Sequence, residues 1–189
     1  MLDGRTIING LTADNNLQNS IFAFGGGRTV NRYLLDLLAY RNKGASYVTP
    51  DIGGIKEGLP RFFSRLSEPL LIDLEADYGR INESEVFPRV VPDFYRGQAV
   101  TVYGRFDTQQ DGQFVMRLTG KGGDGPKELI FRADLAEART GDRSIARNWA
   151  FQKSYHLIGE IVIDGETPER ISQLRNLELN YNIRTSYSE

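Results

Sequence analysis

The sequence predicts an α+β protein in three parts, because the spacing of its apolar residues changes twice along the chain. Up to about residue 67 apolar residues recur at helical spacing between short strands, and from 68 to 137 they alternate with polar ones. From 138 to 189 the spacing is helical again. We therefore expect an α/β segment over 1–67, an antiparallel, β-sandwich-like domain over 68–137 and a helical tail over 138–189.

A strand, a glycine turn and a helix dominate the first part. Residues 20–24 form an apolar run that meets Gly25, Gly26 and Gly27, and an amphipathic helix follows, with Thr29 as its expected cap and Gly44 at its end. The inward positions of this helix are Val30, Tyr33, Leu34, Leu37 and Leu38.

Three further elements complete the first part. Residues 6–15 predict a helix, and residues 45–48 predict a second strand. A helical stripe over 55–66 contains Pro60, which predicts a kinked or late-starting helix.

The second part alternates with a period of two. Asp73, Glu75 and Asp77 are expected on the solvated face of a strand whose apolar face carries Leu70, Ile72, Leu74, Ala76 and Tyr78. More strands are expected at 100–106, 114–118 and 129–133, joined by a polar turn at 107–112 and a loop at 120–126.

The third part predicts two helices. In the first, Trp149 and His156 share a broad face with Ile145, Ala146, Ala150 and Leu157. Thr167 is expected to cap the second helix, which has Pro168 at its first position. The inward positions of this helix are Ile171, Leu174, Leu177 and Tyr181.

Composition excludes several classes of function. The formal net charge of −2 and the lack of a basic run predict no nucleic-acid partner. The chain has no cysteine and a single histidine, His156, which argues against thiolate and multi-histidine metal sites. No window of eighteen apolar residues predicts a membrane span, and residues 1–5 lack the features of a secretory signal.

The triple glycine lies where a phosphate-binding loop would lie, between a strand and a helix N-terminus. Gly25 and Gly27 fit a dinucleotide fingerprint, but Val30 stands in place of its third glycine, and no Gly-Lys-Ser/Thr follows. Nucleotide binding at this turn therefore stays an alternative to a turn that serves packing. The turn also comes early for an α/β sheet, so we expect the chain to begin partway through a domain.

Other candidate residues have simpler interpretations. Asp73, Glu75 and Asp77 suit a solvated strand face better than a metal cluster. His156 has no nucleophile at a recognisable spacing, and Trp149 is more simply a packing residue. No Gly-x-Ser-x-Gly elbow is present. We therefore predict a protein that is not an enzyme.

An ordered series of segments resembles bacterial relatives of the inter-alpha-trypsin inhibitor heavy chains, which carry a von Willebrand factor type A domain. Residues 20–39 look like the fifth strand and following helix of that Rossmann-like domain, 44–50 like its last strand and 61–69 like its final helix. The series continues through Phe87-Pro-Arg-Val-Val-Pro-Asp-Phe-Tyr-Arg-Gly97, Val102-Tyr-Gly-Arg105, Ala146-Arg-Asn-Trp-Ala150 and Tyr181-Asn-Ile-Arg-Thr-Ser-Tyr187. The resemblance implies that residues 1–67 are the C-terminal part of such a domain.

The family's metal-ion-dependent adhesion site binds Mg²⁺ through an Asp-x-Ser-x-Ser element, a threonine and an aspartate. Asp3 is the lone possible remnant of that aspartate, and no Asp-x-Ser-x-Ser element is present. The nearest string, Asp142 to Ala146, is expected to open a helix. Because a hard cation needs several converging oxygens, we expect an incomplete site and no cofactor in this chain.

Taken together, these features predict a non-enzymatic adhesion or protein–protein interaction module with a protein partner. The alternatives are a structural remnant of a larger protein with no ligand of its own and, third, a nucleotide-binding protein. With its earlier neighbour strands missing, residues 20–24 are expected to expose an apolar edge that makes a homo-oligomer. By resemblance, the protein would act in the cell envelope or outside the cell.

Overall fold

The computed structural model describes residues 4–107, 112–185 and 187, and its class is α+β. The helices of this part are α1 (Gly4–Asn15), α2 (Arg32–Arg41), α3 (Ile55–Ser64), α4 (Arg143–Asp164) and α5 (Pro168–Tyr181). The strands are β1 (Ala23–Gly26), β2 (Ser46–Thr49), β3 (Pro69–Asp77), β4 (Val86–Phe87), β5 (Phe94–Tyr95), β6 (Tyr103–Gly104), β7 (Gln113–Gly122) and β8 (Gly125–Asp134).

The strand and helix predicted in the first part are present, but the strand is shifted: β1 includes Gly25 and Gly26, and of the three glycines only Gly27, with a φ of 114°, lies in the turn. β1 and β2 pair in parallel, with Ala23 opposite Ser46, and α2 connects them. The start of α2 differs from the prediction of a Thr29 cap. The cap is Asn31, whose Oδ1 accepts a hydrogen bond from the Leu34 N–H at 3.0 Å.

Gly44 follows α2 for a different reason from the one predicted. The residue with positive φ is Lys43, at 58°. A Cβ on Gly44 would lie 1.8 Å from the Ile21 carbonyl oxygen, so only glycine lets the two backbones approach. The late start predicted for α3 is also wrong, since the helix begins at Ile55 and contains Pro60.

The second part forms a four-stranded antiparallel sheet in the order β5-β3-β7-β8, beside a β4–β6 pair. The strand predicted over 100–106 is reduced to Tyr103–Gly104, and the loop predicted over 120–126 is a two-residue turn between β7 and β8. Residues 108–111 of the predicted polar turn lie outside the described residues. A second sheet to make a sandwich stays a prediction.

The face predicted for β3 is only partly right, because the strand contains irregularities. The buried side chains are Leu71 and Leu74, while Leu70 and Ile72 are exposed. The register shifts between Pro69 and Leu71 and again between Ile72 and Glu75, where Asp73 has a φ of 52°. An extra residue in one strand exchanges the two faces from that point on.

Two hydrophobic clusters hold the fold. The larger joins all three predicted parts and is made of Ile8, Leu37, Phe87, Trp149, Ala150, Leu157, Ile158, Ile161, Val162, Leu174, Leu177 and Ile183. The smaller lies on the sheet and contains Leu71, Leu74 and Val91. Domain boundaries at 67 and 137 stay predictions, because the larger cluster takes residues from both sides of each.

Candidate functional site

An open apolar cavity lies on one face of the four-stranded sheet. Its volume is about 320 Å³, and the residues that line it are all apolar in type. The lining residues are Leu71, Leu74, Val91, Phe94, Val100, Val102, Met116, Leu118, Leu129 and Phe131. A concave apolar surface of this kind is a typical binding site for another apolar group.

The pairing of β7 with β8 builds the open side of this cavity. Leu118 lies opposite Leu129, and Met116 lies opposite Phe131, so four apolar side chains share one face. Phe131 is half exposed, with 50% of its surface accessible. β8 is one of the two edge strands of the sheet, the other being β5, and every residue from Pro126 to Asp134 is exposed.

The opposite face of β8 is charged. Glu128, Ile130 and Arg132 alternate with the apolar residues, and Glu128 Oε1 lies 3.2 Å from the Nε of Arg117 on β7. Both residues of this ion pair are well exposed, so the pair contributes little stability.

An ionic cluster with a buried pair at its centre joins the first part of the chain to the sheet. Lys43 and Asp93 each have only 6% of their side chains exposed. Lys43 Nζ lies 3.1 Å from Asp73 Oδ1 and 3.7 Å from Asp93 Oδ1. Lys121 Nζ binds the other oxygen of Asp73 at 3.0 Å, and the two lysines hold the pKa of Asp73 below its usual value.

Asp93 is the centre of this cluster. Its Oδ2 accepts a 2.6 Å hydrogen bond from the Ser20 hydroxyl, and its Oδ1 accepts one from the Asp73 N–H at 2.9 Å. The second bond fixes the irregular backbone of β3. Because the acceptors of Asp93 are occupied within the chain, the cluster is a connection between two segments.

A polar cavity of about 500 Å³ lies between α4, α5 and the segment around β4. Trp149 Nε1 donates to the Glu85 carbonyl oxygen at 2.8 Å, and Lys153 Nζ contacts Glu85 Oε1 at 2.9 Å. The other carboxylate oxygen of Glu85 is buried without a hydrogen-bond partner. The Arg105 guanidinium stacks over Trp149 at 4.6 Å.

His156 lies in this polar cavity. Its Nε2 is 3.4 Å from Glu160 Oε1, and its ring is 5.4 Å from the ring of Phe87. Burial lowers the pKa of His156, with Arg89 and Lys153 acting in the same direction and Glu160 opposing them. Trp149 is buried in the larger cluster, in agreement with its predicted packing role.

Packing explains the first two of the three glycines, which lie in β1 and not in the turn. A Cβ on Gly25 would lie 2.9 Å from both Leu35 and Val30, and a Cβ on Gly26 would lie 2.5 Å from Ile55. Side chains of α2, α3 and the loop before α2 therefore occupy the space beside these two strand residues. α2 begins at Arg32 and is capped by Asn31, so its N-terminus does not follow the glycines directly.

The carboxylates singled out in the sequence do not converge. Asp73 belongs to the ionic cluster, Asp77 Oδ1 accepts from the Gly79 N–H at 2.8 Å, and Glu75 is exposed. Within the described ranges, no group of three histidine, cysteine or acidic residues could hold a metal ion. The string from Asp142 opens a helix, as predicted, and Asp142 caps this helix, α4, by accepting from the Ser144 N–H at 2.7 Å.

Two other predicted sites have different outcomes. Asp3 lies outside the described residues, so its assignment as a remnant of the adhesion-site aspartate stays a prediction. In the 20–24 segment the residues are half-buried apart from Ala23, which is buried. Among the described strands, β1 pairs with β2 alone, which leaves its other edge open.

No model of a known protein family matches the chain. The chain is 24% identical over 184 residues to a von Willebrand factor A domain-containing protein of Dictyostelium discoideum, and the match covers 94% of the chain. It spans only 9% of the length of that relative. The match supports a relationship of the von Willebrand factor A type, whereas the finer relationship to inter-alpha-trypsin inhibitor heavy chains stays a prediction.

In the part of the chain that the structure describes, no helix has both the length and the apolar character needed to cross a membrane. This finding agrees with the prediction of no membrane span.

Proposed function

We propose that the chain is a non-enzymatic protein-interaction module related to von Willebrand factor A domains, and that it binds a protein partner through its four-stranded sheet. The observation that carries the proposal is the apolar cavity that opens beside the exposed edge strand β8. A sheet edge supplies backbone hydrogen bonds to an extended segment, and a neighbouring apolar cavity selects its side chains.

The finer proposal follows the sequence resemblance. In it, residues 1–67 are the C-terminal, Rossmann-like part of a von Willebrand A domain of inter-alpha-trypsin inhibitor type, without a complete metal-ion-dependent adhesion site. Its context would be adhesion in the cell envelope or outside the cell. The parallel β1–α2–β2 unit supports this assignment.

The proposal is tested by selecting peptides from a random phage-displayed library on the immobilised chain. We expect extended peptides with alternating apolar residues, and we expect Phe131→Asp to weaken their binding at least tenfold in calorimetric titration. Phe131 lines the cavity and is half exposed, so this change places a charge in the proposed site.

Ile52→Asp is the matched control, because Ile52 is a more exposed apolar residue outside the sheet. Its peptide affinity should equal that of the unchanged chain. Selected peptides that bind both variants equally would overturn the site, and a library that yields no binder would favour a structural remnant.

Two further titrations address the alternatives. We expect no heat of binding with Mg²⁺ or Mn²⁺, because the proposal assigns no complete adhesion site to this chain. We also expect none with ATP or NAD, since side chains fill the space beside Gly25 and Gly26 in β1, and the Asn31 side chain caps the N-terminus of α2. Saturable binding of ATP or NAD that is lost on substituting Gly27 would instead favour the nucleotide-binding alternative.

A further inference from the structure

β8 is a long edge strand with an exposed backbone. It has ten residues, and the sequence at its centre is Lys127-Glu-Leu-Ile-Phe-Arg132. Leu129, Ile130 and Phe131 are all at least 40% exposed. A long, apolar and uncovered edge is a template for pairing with another strand.

The turn before β8 determines which backbone groups point outward. Gly122 lies opposite Gly125 across a two-residue turn, which makes them the first hydrogen-bonded pair of the hairpin. Hydrogen-bonded and non-hydrogen-bonded pairs then alternate along the strands. The N–H and C=O groups of Glu128, Ile130 and Arg132 therefore point away from β7. Pro126, which has no N–H, also falls at an outward position, where a strand proline is tolerated.

These outward groups restrict how two copies of β8 can pair. In an antiparallel pair about a two-fold axis, outward-pointing residues must lie opposite outward-pointing residues. The axis can then pass through any residue at the centre of β8, but centring on a charged residue, such as Glu128 or Arg132, places two like charges opposite each other. This leaves Leu129, Ile130 and Phe131 as centres, each of which gives one register. The three registers place different side chains opposite one another.

The register centred on Ile130 is self-complementary. It places Glu128 opposite Arg132 twice and Leu129 opposite Phe131 twice. Centring on Phe131 instead places Glu128 opposite Asp134, which is repulsive. Centring on Leu129 places Glu128 opposite Ile130 and Arg132 opposite Pro126, so neither charge gains a partner.

We propose that β8 pairs with β8 of a second copy of this chain, antiparallel and with Ile130 on the two-fold axis. The partner strand places Phe131 beside Leu129 on the apolar face and extends that face across both copies. On the other face, Arg132 of the second copy approaches the Glu128 that Arg117 already contacts at 3.2 Å. The inference rests on the proposed function, because it names a partner for the same sheet edge.

The edge at 20–24, predicted from the sequence to make an oligomer, is a poorer candidate. β1 has four residues, and two of them are Gly25 and Gly26. Glycines carry no side chain to select a register, and a short strand offers few hydrogen bonds. β8 has a longer edge and side chains that distinguish one register from the others.

The first test exchanges charges at the proposed interface. In sedimentation equilibrium we expect the unchanged chain to dimerise at micromolar concentration. Glu128→Arg and Arg132→Glu, each alone, place like charges opposite each other twice and should weaken the dimer about tenfold. An equimolar mixture of these two variants should dimerise again, because each strand then faces opposite charges.

Arg117→Ala is the matched control, because it removes the ion pair of Glu128 within the chain and leaves the edge unchanged. Its dimer should form as in the unchanged chain. A mixture that stays monomeric, or a dimer that Glu128→Arg leaves intact, would overturn the register.

The second test uses cysteine cross-linking, since the chain has no cysteine of its own. Ile130→Cys places two thiols opposite each other, with Cα atoms about 5.5 Å apart, within the disulfide range. Leu129→Cys is the control, because its two copies are offset along the strands by about 7 Å and lie beyond that range. We expect mild oxidation to link the first variant and to leave the second monomeric.

Equal cross-linking of the two variants would overturn the proposal. So would a chain that stays monomeric at every concentration, and in that case the peptide selection still tests the proposed function on its own. A dimer that persists in both charge variants and is broken by Phe22→Lys would assign the interface to the edge at 20–24 instead.

Discussion

The molecule has a helical end, built around the larger hydrophobic cluster, and a sheet end, formed by the four-stranded sheet and the smaller cluster. The two ends differ in how completely they bury their apolar residues. In the helical end, Leu37, Ala150 and Leu174 have no accessible surface. In the sheet end, Leu71 and Leu74 line an open cavity, and β8 is exposed along its length. The first end is closed by its own residues, and the second leaves an apolar face uncovered.

This difference separates stability from recognition. Apolar area that is already buried stabilises the fold, whereas apolar area that is still in water is available to a partner. We therefore expect substitutions in the helical end to act mainly on the free energy of unfolding. Substitutions on the open side of the sheet should act mainly on binding.

The largest expected effect is that of Leu174→Ala in α5. Leu174 is fully buried in the larger cluster, so its truncation leaves a cavity and should lower the free energy of unfolding by about 4 kcal/mol. Urea denaturation followed by circular dichroism measures the change. Leu179→Ala, on the exposed side of the same helix, should change it by less than about 0.5 kcal/mol.

Leu74→Ala allows the same leucine truncation to be compared in the sheet end and in the helical end. The same truncation beside the open cavity should lower the free energy of unfolding by about 2 kcal/mol, at the lower end of the range for such changes. An equal loss in the two leucine variants would show that the sheet end is as closed as the helical end.

The starts of α4 and α5 were predictable from the sequence because they depend on neighbouring residues. The string from Asp142 opens α4, and Thr167 with Pro168 opens α5, in agreement with both predictions. The alternation of β7 and β8 was likewise readable. Thr29 was the wrong cap for α2, because Asn31 two residues later offers an equivalent oxygen.

The remaining features depend on distant partners. The irregularity at Asp73 is fixed by a hydrogen bond from its N–H to Asp93, twenty residues away in the chain. The need for Gly44 comes from the backbone of Ile21. The pairing of Lys43 with Asp73 and Asp93 has no signal in periodicity or spacing. The open side of the cavity was equally hidden, because strand order determines that β8 is an edge.

The second prediction concerns the connection between the first part of the chain and the sheet. Asp93→Ala removes one partner of the buried Lys43 and two hydrogen-bond acceptors, so it should lower the free energy of unfolding by about 3 kcal/mol. Urea denaturation measures it. If the two ends unfold separately, amide exchange in this variant should accelerate in the sheet alone.

Asp93→Asn separates the contribution of the charge from that of the hydrogen bonds, because an amide oxygen still accepts a hydrogen bond while the negative charge beside Lys43 is lost. We expect it to destabilise less than Asp93→Ala. Asp124→Ala, which removes an ion pair in the exposed β7–β8 turn, should change the free energy of unfolding by less than about 0.5 kcal/mol. A similar loss in Asp93→Ala and Asp124→Ala would exclude a stabilising role for the ionic cluster.

The smallest effect is a dependence on pH that belongs to the helical end. Burial lowers the pKa of His156 in the folded state, while in the unfolded chain it stays near its ordinary value of about 6.5. Below that pH the unfolded chain binds a proton that the folded protein resists, so the free energy of unfolding falls as the pH falls. The contribution of neutral His156 to the free energy of unfolding is fully present above about pH 6.5. It is lost as the pH falls from the pKa of His156 in the unfolded chain to its lower pKa in the folded protein.

Denaturation at a series of pH values, with the unchanged chain and His156→Gln compared, isolates this effect. The difference between the slopes of their free energies of unfolding against pH should be confined to the window just below about pH 6.5 and should vanish at higher pH.

Asp73 provides an internal reference in the sheet end, because its lysine partners lower its pKa. Its contribution to the free energy of unfolding therefore begins to be lost only near about pH 4. The opposite result would be a gain in stability of the unchanged chain as the pH falls through the window just below about pH 6.5. It would mean that Glu160 favours protonated His156 and that burial is not the dominant influence on the pKa of His156. The polar cavity would then tolerate a positive charge that its burial and its neighbouring cations Arg89 and Lys153 argue against.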